Sequence, residues 1–121
     1  MKAILSKNAP KPVGPYSQAM KSNGFLFVSG QLGVDTEGTV GKTVEEQTEQ
    51  CIRNITSILK EEGLTLKNVA KATVFLTDMA NFSKMNSVYE KHFTGKPARA
   101  CVGVELIKGF LVEIEVVASY E

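Results

Sequence analysis

Apolar and polar residues alternate with a period of two along several stretches of this chain and with a helical period along two others. In Val69–Leu76, Ala70, Ala72, Val74 and Leu76 alternate with Val69, Lys71, Thr73 and Phe75, which predicts a strand. In Leu111–Ser119, Val112, Ile114, Val116 and Ala118 take one face, and Glu113, Glu115, Val117 and Ser119 the other. In Lys96–Glu105, the small apolar set Ala98, Ala100, Val102 and Val104 suits a face packed on helices, while Arg99, Cys101, Gly103 and Glu105 face away. Pro97 stands at the strand entry, where proline is tolerated. Asn23-Gly24 is a hairpin turn signal that pairs Ala19–Lys21 with the aromatic-rich run Phe25–Ser29, and Ala3–Leu5 forms a short first strand.

The helical period appears first in Val44, Cys51, Ile52, Ile55, Ile58 and Leu59, after a Thr43-to-Glu46 capping box. That helix runs to about Glu62 and stops at Gly63. The second helix spans Asn81–His92, with Phe82, Met85, Val88, Tyr89 and Phe93 on one side. The proline-rich segment Asn8–Pro15 is a loop, as is Gly30–Lys42, with a turn at Asp35–Gly38. The order β-β-β-α-β-α-β-β predicts one α+β domain over residues 1–121: a mostly antiparallel mixed sheet with two helices on one face. The other face carries Phe25, Phe27, Phe75, Val69 and Val117 beside Arg99, Cys101, Glu113, Glu115, Ser29 and Thr73, a half-apolar surface expected to be buried against another subunit.

Composition narrows the function classes. A net charge of +1 does not suit a nucleic-acid binder. Cys51 and Cys101 are the only cysteines and His92 the only histidine, in no zinc spacing, so no metal is expected. The N-terminal apolar run is too short for a signal peptide and no window reaches membrane-span length, so the expectation is a cytoplasmic protein.

The chemistry centres on Arg99, whose planar fork matches a carboxylate. With Glu113 or Glu115 on a neighbouring strand it gives a cation and a proton-transfer group at one site. Tyr16, in the rigid Gly14-Pro15-Tyr16 segment, can aim its hydroxyl there. Each has a plainer reading: a cross-strand ion pair for Arg99, a core aromatic with a wet tip for Tyr16, a packed thiol for Cys101.

Several motifs in order then carry a resemblance: Gly14-Pro15-Tyr16-Ser17-Gln18-Ala19, Ser29-Gly30-Gln31, Lys71 to Met79, Phe82-Ser83-Lys84-Met85-Asn86, Pro97 to Val102 and Val112-Glu113-Ile114-Glu115. The chain resembles the RidA/YjgF family of reactive-intermediate deaminases along nearly its whole length. The resemblance implies a chorismate-mutase-like fold and a homotrimer whose sheets form an inner barrel, with sites in the clefts between subunits. It implies cofactor-free hydrolysis of 2-imino acids such as 2-iminobutanoate and 2-iminopropanoate to 2-keto acids and ammonia. It assigns Arg99 to the substrate carboxylate, Glu113 to the water, and Tyr16, Ser29, Gly30, Cys101 and Asn86 to the pocket. The segment Ala100–Gly109 departs from the family pattern: it is a residue short and lacks the usual proline and second arginine, which leaves Glu113 and Glu115 both open as the water-positioning carboxylate. A non-catalytic 2-keto acid binding protein is the alternative, and nucleic-acid cleavage, ascribed to some relatives, is disfavoured by the charge balance.

Overall fold

The computed structural model describes residues 1–121. Its six strands are β1 (Lys2–Ile4), β2 (Ala19–Ser22), β3 (Phe25–Leu32), β4 (Val69–Leu76), β5 (Ala98–Gly103) and β6 (Val112–Ser119), and its helices are α1 (Val44–Lys60) and α2 (Phe82–His92). The strands form one sheet in the order β1-β2-β3-β6-β4-β5. Every pairing is antiparallel except β4 with β5. Two helical crossovers explain this. α2 returns the chain to place β5 parallel beside β4, and α1 carries it from β3 past one strand position, which β6 later fills.

Local chemistry sets the element ends. Asn23 (φ 51°) and Gly24 (φ 82°) both take the left-handed turn conformation that Asn-Gly favours, closing β2 on β3. Thr43 Oγ1 accepts from Glu46 N at 3.1 Å to cap α1, and the return bond of the expected capping box is not formed. Gly63 (φ 70°) ends the helix in a Schellman turn: Leu64 N donates to Leu59 O and Gly63 N to Lys60 O, each at 3.0 Å.

The core lies between the sheet and both helices. Ile52, Ile55, Ile58 and Leu59 of α1 and Met85 of α2 pack against Leu26, Val28, Ala72, Val74, Leu76, Ile114 and Val116. Each Val, Leu, Ile or Met side chain among them contributes about 1.5–3 kcal/mol on burial. Three buried amides pin loops to this body. Gln18 accepts from Ser6 N and donates to Ser6, Ala9 and Pro10 carbonyls. Gln47 donates to Gly41 O and accepts from Leu111 N, and Asn54 donates to Leu32 and Val34 carbonyls. No helix is long and apolar enough to cross a membrane.

Four expectations are corrected. β3 does not stop at Ser29 but continues to Leu32 through a bulge between Val28 and Gln31, which Gly30 accommodates. Val69 is not on the open face: a second bulge, between Val69 and Lys71, turns it into the core and exposes Ala70. The phase of β5 is the reverse of the expected one. Arg99 and Cys101 lie on the helix side, beside Ala72 and Val74 of β4, while Ala98, Ala100 and Val102 face away and are exposed. Finally, β4 separates β5 from β6, so Arg99 is on no strand adjacent to Glu113 or Glu115. The open face keeps Phe25, Phe27 and Val102 exposed.

Candidate active site

The expected site residues fall into two groups on opposite sides of the sheet. The first is built on β5 and α2. Positions 82, 86 and 89 share one face of α2 at helical spacing, and Arg99 reaches across to all three. Its Nη1 donates to Asn86 Oδ1 at 2.6 Å, and its guanidinium carbon lies 4.8 Å from the Tyr89 ring centroid and 5.5 Å from that of Phe82. Phe93 stacks on the far end of the same cluster, 4.3 Å from Tyr89 between centroids. The aromatic platform explains the reversed β5 phase. A guanidinium stacked on ring faces satisfies itself at the edge of the core, where a strand of small residues alone would leave a gap. No carboxylate lies within ion-pair distance of Arg99. A cavity of about 290 Å³, with Arg99, Asn86, Tyr89 and Lys96 in its wall, opens beside it.

Cys101 follows two residues on along the same strand face. Burial pushes its thiol pKa up, against a smaller downward pull from Arg99. It therefore stays protonated at neutral pH, which fits a packed thiol rather than a nucleophile.

The second group is built on β3, β6 and the loop before β2. Tyr16, Ser29, Gly30 and Glu113 line one cavity of about 540 Å³ together with Glu105 and Glu115. Glu113 lies across Gly30 so closely that a Cβ there would sit 2.7 Å from Glu113 Cδ. Gly30 is a glycine for space, not for a special φ. Burial, and then the neighbouring Glu115, raise the Glu113 pKa. Glu115 is exposed and Glu113 half-buried, so the two carboxyls are not equivalent. Ser29 donates its hydroxyl to Ser17 O at 2.6 Å and its N–H to Gln18 O at 2.9 Å, which fixes the bulge against the Tyr16 loop. Tyr16 itself is 48% exposed.

One half thus offers a cation without a partner, and the other offers three carboxylates without a cation. No three His, Cys, Asp or Glu side chains gather as metal ligands. Tyr89 and Phe82 are the functional neighbours that reading by element missed. Their helical spacing with Asn86 is visible in the sequence, but only the reversed phase of β5 brings Arg99 to them.

Residues 6–120 match the family model described as endoribonuclease L-PSP. A RutC family protein of Aquifex aeolicus is 48% identical over 125 residues, covering 98% of this chain and 98% of that protein. Among solved structures, RidA from the Antarctic bacterium Psychrobacter superposes with a TM-score of 0.94 at 38% identity, covering 98% of this chain and 99% of that one. TdcF from E. coli with bound serine superposes with a TM-score of 0.94 at 33% identity, over all of both chains. The chain belongs to the YjgF/RidA family, the family of the L-PSP proteins.

Proposed function

We propose that this protein hydrolyses 2-imino acids such as 2-iminobutanoate and 2-iminopropanoate to 2-keto acids and ammonia, at sites completed between copies of the chain. The observation that carries the proposal is Arg99: a guanidinium preset by Asn86, Tyr89 and Phe82, with no carboxylate of its own, beside an open cavity. Such a group is suited to the two oxygens of a small α-carboxylate. TdcF is solved with bound serine, which carries a carboxylate of that kind.

The chemistry needs little more. The C=N carbon is electrophilic. Water adds to it: Glu113 takes one water proton and delivers it to nitrogen, giving a carbinolamine, then takes the carbinolamine hydroxyl proton and delivers that to nitrogen as the C–N bond breaks, which releases ammonia and leaves the keto acid. A carboxyl raised above its ordinary range is suited to passing a proton in both directions. Between the two carboxylates, Glu113 is the one assigned here, because it is the more enclosed and rests on Gly30. Tyr16 and Ser29 bound the same space, and Cys101 packs behind Arg99. No cofactor is required.

Arg99 and Glu113 of one chain face opposite sides of the sheet, so one chain does not join them. A second copy bringing its cationic half to the anionic half of the first would do so, and repetition around three copies closes a trimer with the exposed Phe25, Phe27 and Val102 faces turned inward as a barrel. Opposite charge on the two halves supports that docking.

The family description also names an endoribonuclease. A net charge of +1 and the three carboxylates of the Glu113 cavity, Glu105, Glu113 and Glu115, oppose a polyanion there. The test is decay of 2-iminobutanoate, generated in situ, with the parent, Arg99→Ala and Glu113→Ala, and a single-stranded RNA incubated in parallel. The proposal expects acceleration by the parent, its loss in both variants, and intact RNA. If the parent matches buffer across several imine side chains, the deaminase reading fails and a 2-keto acid binding protein takes its place.

A further inference from the structure

A cavity larger than either half of the candidate site contains neither Arg99 nor Glu113. It measures about 770 Å³, within the range of ligand pockets, and is bounded by three loops: the segment after β1, the turn that follows β3, and the turn before β6. Its apolar surface includes Val34, Val40 and Phe110, and its wall with the Glu113 cavity is shared by Val13, Leu32 and Ile107. Lys7, Lys11 and Lys108 line it, and none of them is in an ion pair. The only carboxylate there, Asp35, is spent on its own turn, accepting from Glu37 N and Thr39 N at 2.9 Å each.

Two further observations mark this cavity as built. Two buried amides of the fold serve its walls: Gln18 holds Ala9 and Pro10, and Asn54 holds Leu32 and Val34. Loops fixed by buried hydrogen bonds lose little freedom when a ligand arrives. In addition, Lys108 sits at φ 52°, a left-handed conformation that costs a non-glycine residue energy, immediately before Gly109 at φ 71°.

We propose that this cavity binds a small amphipathic carboxylate, with an aryl or branched-alkyl body against Val34, Val40 and Phe110 and its anionic end among Lys7, Lys11 and Lys108. The excess of unpaired cations sets the sign of the ligand charge, and the apolar side chains of Val34, Val40 and Phe110 set its body. The proposal does not depend on imine hydrolysis.

The test is a titration with 4-phenylbutanoate, with 4-phenyl-1-butanol as its uncharged match, followed by amide ¹H–¹⁵N shifts. Parent, Arg99→Ala and a Lys11→Gln/Lys108→Gly double variant are compared. Glycine at 108 eases the backbone, so the variant keeps its fold. Saturable shifts are expected at Gly38, Val40, Lys108 and Phe110, unchanged in Arg99→Ala. The alcohol, which lacks the charge, and the double variant, which lacks two of the three lysines, are each expected to bind at least about tenfold more weakly. Shifts confined to Asn86, Tyr89 and Arg99 or to Phe25 and Phe27, equal affinity for acid and alcohol, or no saturable shifts would each overturn the proposal.

Discussion

A guanidinium held between ring faces and an amide oxygen has lost much of its rotamer freedom before any ligand arrives, so Arg99 binds with less entropy to surrender. Tyr89 is the part of that support most open to test. Its hydroxyl is buried with no hydrogen-bond partner, and its ring lies under Arg99. Tyr89→Phe should therefore keep activity and gain up to about 1 kcal/mol in urea unfolding, because an unsatisfied hydroxyl is removed. Tyr89→Leu should raise KM about tenfold while leaving kcat closer to the parent, since binding of the carboxylate is what loosens. Gly30→Ala tests the Glu113 arrangement in the same way. The new methyl displaces only the end of a flexible side chain, so stability should change by less than about 1 kcal/mol while kcat falls about tenfold or more. Glu113 also makes a pH prediction. Its folded pKa is raised above the unfolded value, so the folded state holds the proton more tightly. The stability this gives is complete below the ordinary carboxylate pKa and is lost as pH rises through the folded pKa. Glu113→Gln should thus abolish turnover and, in the unassembled chain, raise Tm at pH 7. The acid limb of the parent kcat/KM profile should fall above the ordinary carboxylate range.

At the scale of elements, periodicity located β4, β5, β6 and both helices, because a period of two or 3.6 is what burial on one side demands, and the Asn23-Gly24 turn located β2 and β3. It did not give the facing of β5. Small side chains on one side of an edge strand look like a core face, yet here the core-side partner is a stacked arginine, and residue size alone does not register that. Nor did it give the bulges. Gly30 reads as a strand end and is instead the place where β3 passes under Glu113. The amides had a signal that went unused: Gln47 and Asn54 fall on the apolar side of α1 with Cys51, where an unpartnered polar group would be costly. Gln18 carries the corresponding stability prediction. Gln18→Ala leaves Ser6 N and three carbonyls without their buried partner and should cost about 2–3 kcal/mol in urea unfolding.

For the whole molecule, the two halves of the candidate site were legible as a residue set but not as a geometry. The motifs name Arg99 and Glu113 together, and the sheet order sets them apart on opposite faces. A chain that keeps an unpaired cation on one side and clustered carboxylates on the other, with exposed aromatics between, is expected to close its site against a copy of itself. Subunit mixing tests this directly. Arg99→Ala and Glu113→Ala proteins, each inactive alone, are unfolded together, refolded at equal ratio and assayed on 2-iminobutanoate. If each site takes Arg99 from one chain and Glu113 from the next, about a quarter of the sites in randomly mixed trimers are intact, and activity should return to about a quarter of the parent value. If the mixture, shown by mass spectrometry to contain hetero-oligomers, stays as inactive as its parts, the shared site is contradicted.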